Sequence, residues 1–134
     1  EVNENVLIKL LEKKEVPVIV PMGMGTDEET YNINADVAAG SIAKKLKSRR
    51  LLLMTDVDGV LSKDKKLIPE INTEKASKMI NEGVITGGMI PKINTCLDAV
   101  KNGVTGVVIV DGRKPHSILF ELFSDKGAGT LIRK

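Results

Sequence analysis

Leu51-Leu52-Leu53-Met54, followed by Thr55-Asp56-Val57-Asp58-Gly59-Val60-Leu61, is the stretch whose reading decides the fold: an unbroken apolar run passes straight into a loop of carboxylates and glycine. Continuous apolar runs are what parallel strands covered on both faces require, and Val16 to Val20 and Val107 to Val110 read the same way. Helical patterns stand between them. After Asn3, a candidate N-cap, Val6, Leu7, Leu10 and Leu11 recur at helical spacing as far as Lys13-Lys14-Glu15. Asn34 is placed to cap a helix with Ala35, Ala38, Ala39, Ile42, Ala43 and Leu46 on one face. Gly23, Gly25 and Asp27 mark a loop before it, and a second loop runs from Thr55 to Lys66, ahead of a short segment at Leu67-Ile68. Further helices are expected from about Thr73 to Asn81, from Met89 through Ile93, Cys96, Leu97 and Val100 to a stop at Gly103, and around Pro115 to Phe123. A short strand near Leu131-Ile132 closes the series. This alternation predicts an α/β fold, a parallel sheet with helices on both faces, in one domain spanning residues 1–134.

Composition narrows the function. Lys and Arg total 20 against 18 for Asp and Glu, a net charge of +2, and the basic residues are dispersed apart from short groups such as Lys44-Lys45 and Arg49-Arg50, which argues against nucleic acid. Aromatic residues make up 2% and Trp is missing, so no stacking platform for single strands is present. A single cysteine, Cys96, excludes an intrachain disulfide and a multi-cysteine metal site, and it is expected in the core of an apolar helix face. The longest apolar run falls well short of the ~20 residues that span a bilayer. The expected setting is the cytoplasm. The chain opens at Glu1, close to a helical pattern and without an initiator Met, which suggests an excised or processed piece.

In open α/β sheets ligands bind beyond the carboxyl ends of strands, so the loops after the apolar runs are the places to search for chemistry. Thr86-Gly87-Gly88-Met89-Ile90-Pro91-Lys92 reads as a glycine-opened helix start with a lysine one turn in. A helix start of this kind attracts phosphate, because its first N–H groups lack helical partners and carry the positive end of the dipole. An ordinary capped helix with a solvated lysine would show the same residues. Thr55 to Leu61 fits either a surface turn with solvated carboxylates or a nucleotide cradle. In Tyr31-Asn32-Ile33-Asn34-Ala35-Asp36, capping accounts for Asn34 and the helix dipole for Asp36, while Asn32 is free to offer both donor and acceptor to a small polar ligand and Asp36 to orient a nearby lysine. Walker-type GxxxxGK[ST] and GxGxxG patterns are missing, and one histidine and one cysteine leave little material for a triad or metal site. His116 is expected to cap a surface helix, and Gly127-Ala128-Gly129-Thr130 either to turn into the last strand or to meet phosphate.

Taken together, YNINAD at 31–36, TDVDGVL at 55–61 and GxxTGGMIPK at 83–92 resemble the acetylglutamate kinases of the amino acid kinase family, over essentially the whole chain and the carboxyl-terminal half of the family's length. The resemblance implies an open, mostly parallel sheet in a three-layer αβα sandwich, here the nucleotide-binding C-terminal lobe. It implies ATP, with Mg²⁺ held mainly by the nucleotide, and phosphorylation of the side-chain carboxylate of N-acetyl-L-glutamate on the route to arginine. By motif, Lys92 stabilises the transferring phosphoryl group, Asp36 organises the catalytic lysines, and Asn32 and Asn34 hold the acylamino acid. Thr55, Asp56, Val57, Asp58, Gly59, Val60, Leu61, Val84, Ile85, Thr86 and Gly88 line the nucleotide. The complete enzyme is expected to be a homo-oligomer, with a PII-like protein as a candidate regulator. The ending His116 to Phe123, followed by Gly127 to Thr130, is similar to arginine-inhibited members. The amino-terminal half, with its phosphate loops and a second lysine, has no counterpart, so the isolated chain is expected to be inactive. Two alternatives are a kinase for carrier-linked aminoadipate or glutamate and a non-catalytic interaction fragment.

Overall fold

The computed structural model describes residues 1–134. In chain order its elements are α1 (Glu4–Glu12), β1 (Met22–Met24), β2 (Thr30–Asn32), α2 (Ala35–Lys45), β3 (Arg50–Thr55), β4 (Glu70–Asn72), α3 (Thr73–Asn81), α4 (Met89–Lys101), β5 (Gly106–Asp111), α5 (Ser117–Phe123) and β6 (Gly129–Arg133). Strands β3, β5, β6 and β4 form one sheet in that order, and β1 and β2 form a separate antiparallel hairpin. No helix is long and apolar enough to cross a membrane.

The sheet grows around β5, whose residues are all buried. Successive strand side chains point to opposite faces. Val107 and Ile109 join Ile93, Cys96, Leu97 and Val100 of α4 in the main core, whereas Val108 and Val110, equally buried, lie outside that cluster. α5 packs against the same strand. β3 pairs with β5 in parallel, from Arg50 opposite Gly106 to Thr55 opposite Asp111. β6 runs antiparallel to β5 and parallel to β4, so the sheet is mixed, with more parallel than antiparallel pairing. β6 comes close enough to its neighbour to exclude a side chain at Gly129, where a Cβ would stand 2.0 Å from the Ile109 carbonyl oxygen.

Several helix limits follow directly from local chemistry. Asn34 Oδ1 accepts the N–H groups of Asp36 and Val37, and Asn72 Oδ1 accepts that of Lys75, so α2 and α3 both start on asparagine caps. α4 ends where Gly103 adopts a φ of +105°. Asn3 and His116 stand at cap positions but make no side-chain capping bond; His116 is left-handed instead, with φ 58°.

The expected strand Val16 to Val20 does not form. Pro17 and Pro21 withdraw ladder donors at and beside the run, no neighbouring strand pairs with it, and Val16 and Val18 are 87% and 93% exposed. Gly23, expected in a loop, lies in β1 opposite Tyr31. Gly25 and Asp27 do occupy the turn that follows, where Asp27 accepts the Tyr31 hydroxyl at 2.7 Å. That bond lowers the Asp27 pKa and raises that of Tyr31.

Candidate active site

The connections α2–β3 and α4–β5 set the site's position. Each helix runs back along the sheet before its strand begins, so the starts of α2 and α4 lie toward the carboxyl ends of β3 and β5. Both helices therefore run in the same direction, and side-chain pairs tie them together. Lys92 Nζ, one turn into α4, donates to Asp36 Oδ2 in the first turn of α2 at 2.5 Å, across 56 positions of sequence. Lys44 donates to Asp98 farther along the same two helices. The Lys92 and Asp36 side chains are 16% and 26% exposed, so water screens the pair only in part while the ends of both groups remain reachable.

The turn leading to Lys92 is built to leave donors free. Gly87 is left-handed at φ +57°, a conformation a side chain would strain. Met89 and Ile90 donate their N–H groups back to the carbonyls of Thr86 and Gly87, and Pro91 has none to give. The main-chain donors of Gly87 and Gly88 take part in no hydrogen bond at this helix start. A Cβ on either glycine would meet nothing within 4 Å, so the space before them is open to an incoming group.

At the same end of the sheet is the loop that leaves β3. Gly112 N–H donates to the Thr55 carbonyl at 2.8 Å, joining this loop to the one that follows β5. Lys114 Nζ lies 2.5 Å from Asp58 Oδ1. Asp111, the last residue of β5, is buried and accepts from the Arg113 side chain through both carboxylate oxygens, each at 2.9 Å, and from the Arg113 N–H. The Arg113 guanidinium and then its main-chain N–H hold the Asp111 carboxyl down at about 2. Asp56 and Asp58 also face this guanidinium closely enough to raise its pKa, behind the larger effect of Asp111. Beneath the loop, buried Thr130 accepts the Val60 N–H at 2.9 Å and donates to the Ile68 carbonyl at 2.7 Å. Arg113 and Lys114 are the site's neighbours that sequence patterns did not single out, and Thr130, read as part of a turn, acts through partners far along the chain.

The other expected site residues divide clearly. Asn32 ends β2 with its side chain exposed and makes no protein hydrogen bond. Asn34 spends its side-chain oxygen on the α2 cap. Val60 and Ile85 point into the core, so from those positions only main chain is left to meet a ligand. Asp56, Val57, Asp58 and Leu61 are exposed, as are Thr86 and Gly88, whereas Gly59 is buried and Thr55 and Val84 are half-buried. Cys96, one turn beyond Lys92, is fully buried, and that burial pushes its thiol up to about 12. A cavity of about 1030 Å³ lies elsewhere, between α1, α2 and the hairpin, and Val6, Leu7, Ile19, Met22 and Val37 give it a mostly apolar wall.

The amino acid kinase family profile matches residues 1–111. The chain belongs to that family. Its relatives include acetylglutamate kinase of Pelagibacter ubique, 59% identical over 133 residues that make up 99% of this chain and 46% of that one. Acetylglutamate kinase of Rhodospirillum centenum is 58% identical over 131 residues, 98% of this chain and 43% of that one. The chain thus spans somewhat less than half the length of these relatives. Among solved structures, N-acetylglutamate synthase from Neisseria gonorrhoeae complexed with coenzyme A and L-arginine matches with a TM-score of 0.93 at 26% identity, covering 100% of this chain and 31% of that one. Carbamate kinase from Giardia lamblia bound to AMP-PNP matches with a TM-score of 0.72 at 22% identity, covering 100% of this chain and 45% of that one, a likeness of fold.

Proposed function

We propose that this chain is the nucleotide-binding C-terminal lobe of an acetylglutamate kinase, which transfers the γ-phosphoryl group of ATP to the side-chain carboxylate of N-acetyl-L-glutamate. The observation that carries this reading is the Lys92–Asp36 pair, set at the starts of two parallel helices beside the open Gly87-Gly88 turn. A carboxylate oxygen attacks the γ-phosphorus, the bond to the β–γ bridging oxygen breaks, and ADP leaves. Phosphoryl transfer asks mainly for positioning and charge compensation, with no histidine or covalent nucleophile. Lys92 supplies charge to the transferring group, and its side chain leans toward the helix start as helical side chains do. Asp36 holds that ammonium in place, while the main-chain donors of Gly87 and Gly88 receive phosphate oxygens. Exposed Asp56, Val57 and Asp58 and the main chain of residues 59–61 and 84–86 line base and ribose, and Asn32 meets the acylamino acid.

Magnesium would supply further charge compensation between the phosphates. On the family resemblance it would be held mainly by the nucleotide. A cytoplasmic setting accompanies this reading from the single cysteine, and self-association of the complete enzyme and a PII-like regulator accompany it on family resemblance.

Lys92→Ala in the full-length enzyme tests the assignment. It is expected to lower kcat about a hundredfold or more with a smaller change in KM, because its charge is needed most as the group transfers. Lys92→Arg should rescue only in part, since the two cations differ in shape and hydration. A near-normal kcat in Lys92→Ala would make the lysine an ordinary helix residue.

A further inference from the structure

Between the two side-chain ties that join α2 to α4, the helices touch through a glycine. Gly40 is buried in the middle of α2, where glycine is less favourable than alanine, so packing must account for it. A Cβ built on Gly40 would stand 2.9 Å from Thr95 Cγ2 of α4, well inside the separation of about 3.5–4.0 Å at which carbon atoms attract. Thr95 cannot readily turn that methyl aside. It is β-branched, and its hydroxyl donates to the Pro91 carbonyl one turn back at 3.1 Å, which fixes the rotamer. A side chain at position 40 therefore pushes the helices apart. The displacement falls on Asp36 and Lys92, which lie about one turn earlier on their respective helices.

We propose that Gly40 is a positioning residue for phosphoryl transfer: its missing side chain sets the α2–α4 separation at which Asp36 reaches Lys92. This inference rests on the assignment of Lys92 to the transferring phosphoryl group. Gly40 touches no substrate and acts only through the helix spacing.

The test compares Gly40→Ala, Thr95→Ser, the double variant and Lys92→Ala in the full-length kinase, reading kcat, KM for both substrates and melting temperature. Thr95→Ser removes the obstructing methyl while keeping the hydroxyl that bonds Pro91. Gly40→Ala is expected to lower kcat about tenfold or more, with KM values within about twofold, because small displacements of catalytic groups cost rate before they cost binding. Thr95→Ser alone should stay near wild type, and the double variant should recover most of the lost kcat. A wild-type kcat in Gly40→Ala overturns the proposal, as does a loss that Thr95→Ser fails to restore. If Gly40→Ala does not fold, return of both folding and kcat in the double variant supports the contact, and failure of that variant overturns it. A normal kcat in Lys92→Ala instead overturns the assignment of the lysine, so the two failures are separable.

Discussion

Asp36→Asn separates a catalytic from a structural carboxylate, because it removes charge while leaving the start of α2 intact. The cap depends on Asn34 Oδ1 accepting the main-chain N–H of residue 36 at 3.0 Å, a bond the substitution does not touch. Two stabilising terms are lost. A carboxylate in the first helical turn contributes about 0.3–1 kcal/mol through the dipole, and a charge-assisted bond to Lys92, discounted for its partial exposure, about 1–2 kcal/mol. Together they come to roughly 1–3 kcal/mol, a fall in melting temperature of about 2–6 °C for a full-length enzyme about twice this chain's length. The fold survives that loss. Catalysis should fall much further, by about a hundredfold in kcat, since an ammonium without its partner leaves the phosphoryl path. Melting temperature by circular dichroism and kcat by a coupled ADP-release assay, on the same full-length variant, decide the matter. An unchanged kcat with a lowered melting temperature would refute the reasoning.

The remaining tests probe the anion turn and the loop beside it. Gly88 has φ −64° and ψ −13°, and a Cβ there meets nothing, so Gly88→Ala should leave stability within about 0.5 kcal/mol while weakening MgADP binding measured by calorimetry. Equal affinity would mean that no ligand approaches this glycine. Asp111 titrates near 2 when folded, against an ordinary 3.8, so the unfolded chain takes up more protons as pH falls between those values. The stabilisation from its pairing with Arg113 is then full above about pH 4 and lost as pH drops through about 2. Asp111→Asn should flatten the decline of melting temperature across that window, and an unaltered acid limb would count against the pair.

The chemistry of the fold was more legible than its neighbour relations. The apolar run 107–110 and the α4 stripe from Ile93 to Val100 declared themselves because both are buried outright, and Asn34 and Asn72 cap as their residue type favours. Val16 to Val20 misled for a physical reason: a continuous apolar run states what a strand would bury, but not whether a neighbour exists to pair with it. β4 escaped notice because Ile71 is its only apolar residue, and the antiparallel course of β6 beside β5 has no local signature. At the site, the motif positions for Asp36 and Lys92 meet at 2.5 Å. Thr130 could not be found in advance, since its hydroxyl matters only once Val60 and Ile68, some 70 and 62 positions away, are folded over it.

The most direct test of the central claim is an amide-resolved NMR titration of the 134-residue chain with MgADP. Saturable shifts are expected at residues 55–61 and at Thr86, Gly87, Gly88 and Lys92, with little change elsewhere. Absence of saturable shifts there, or shifts confined to the apolar cavity lined by Val6, Leu7, Ile19 and Val37, would contradict a nucleotide site at the carboxyl ends of β3 and β5.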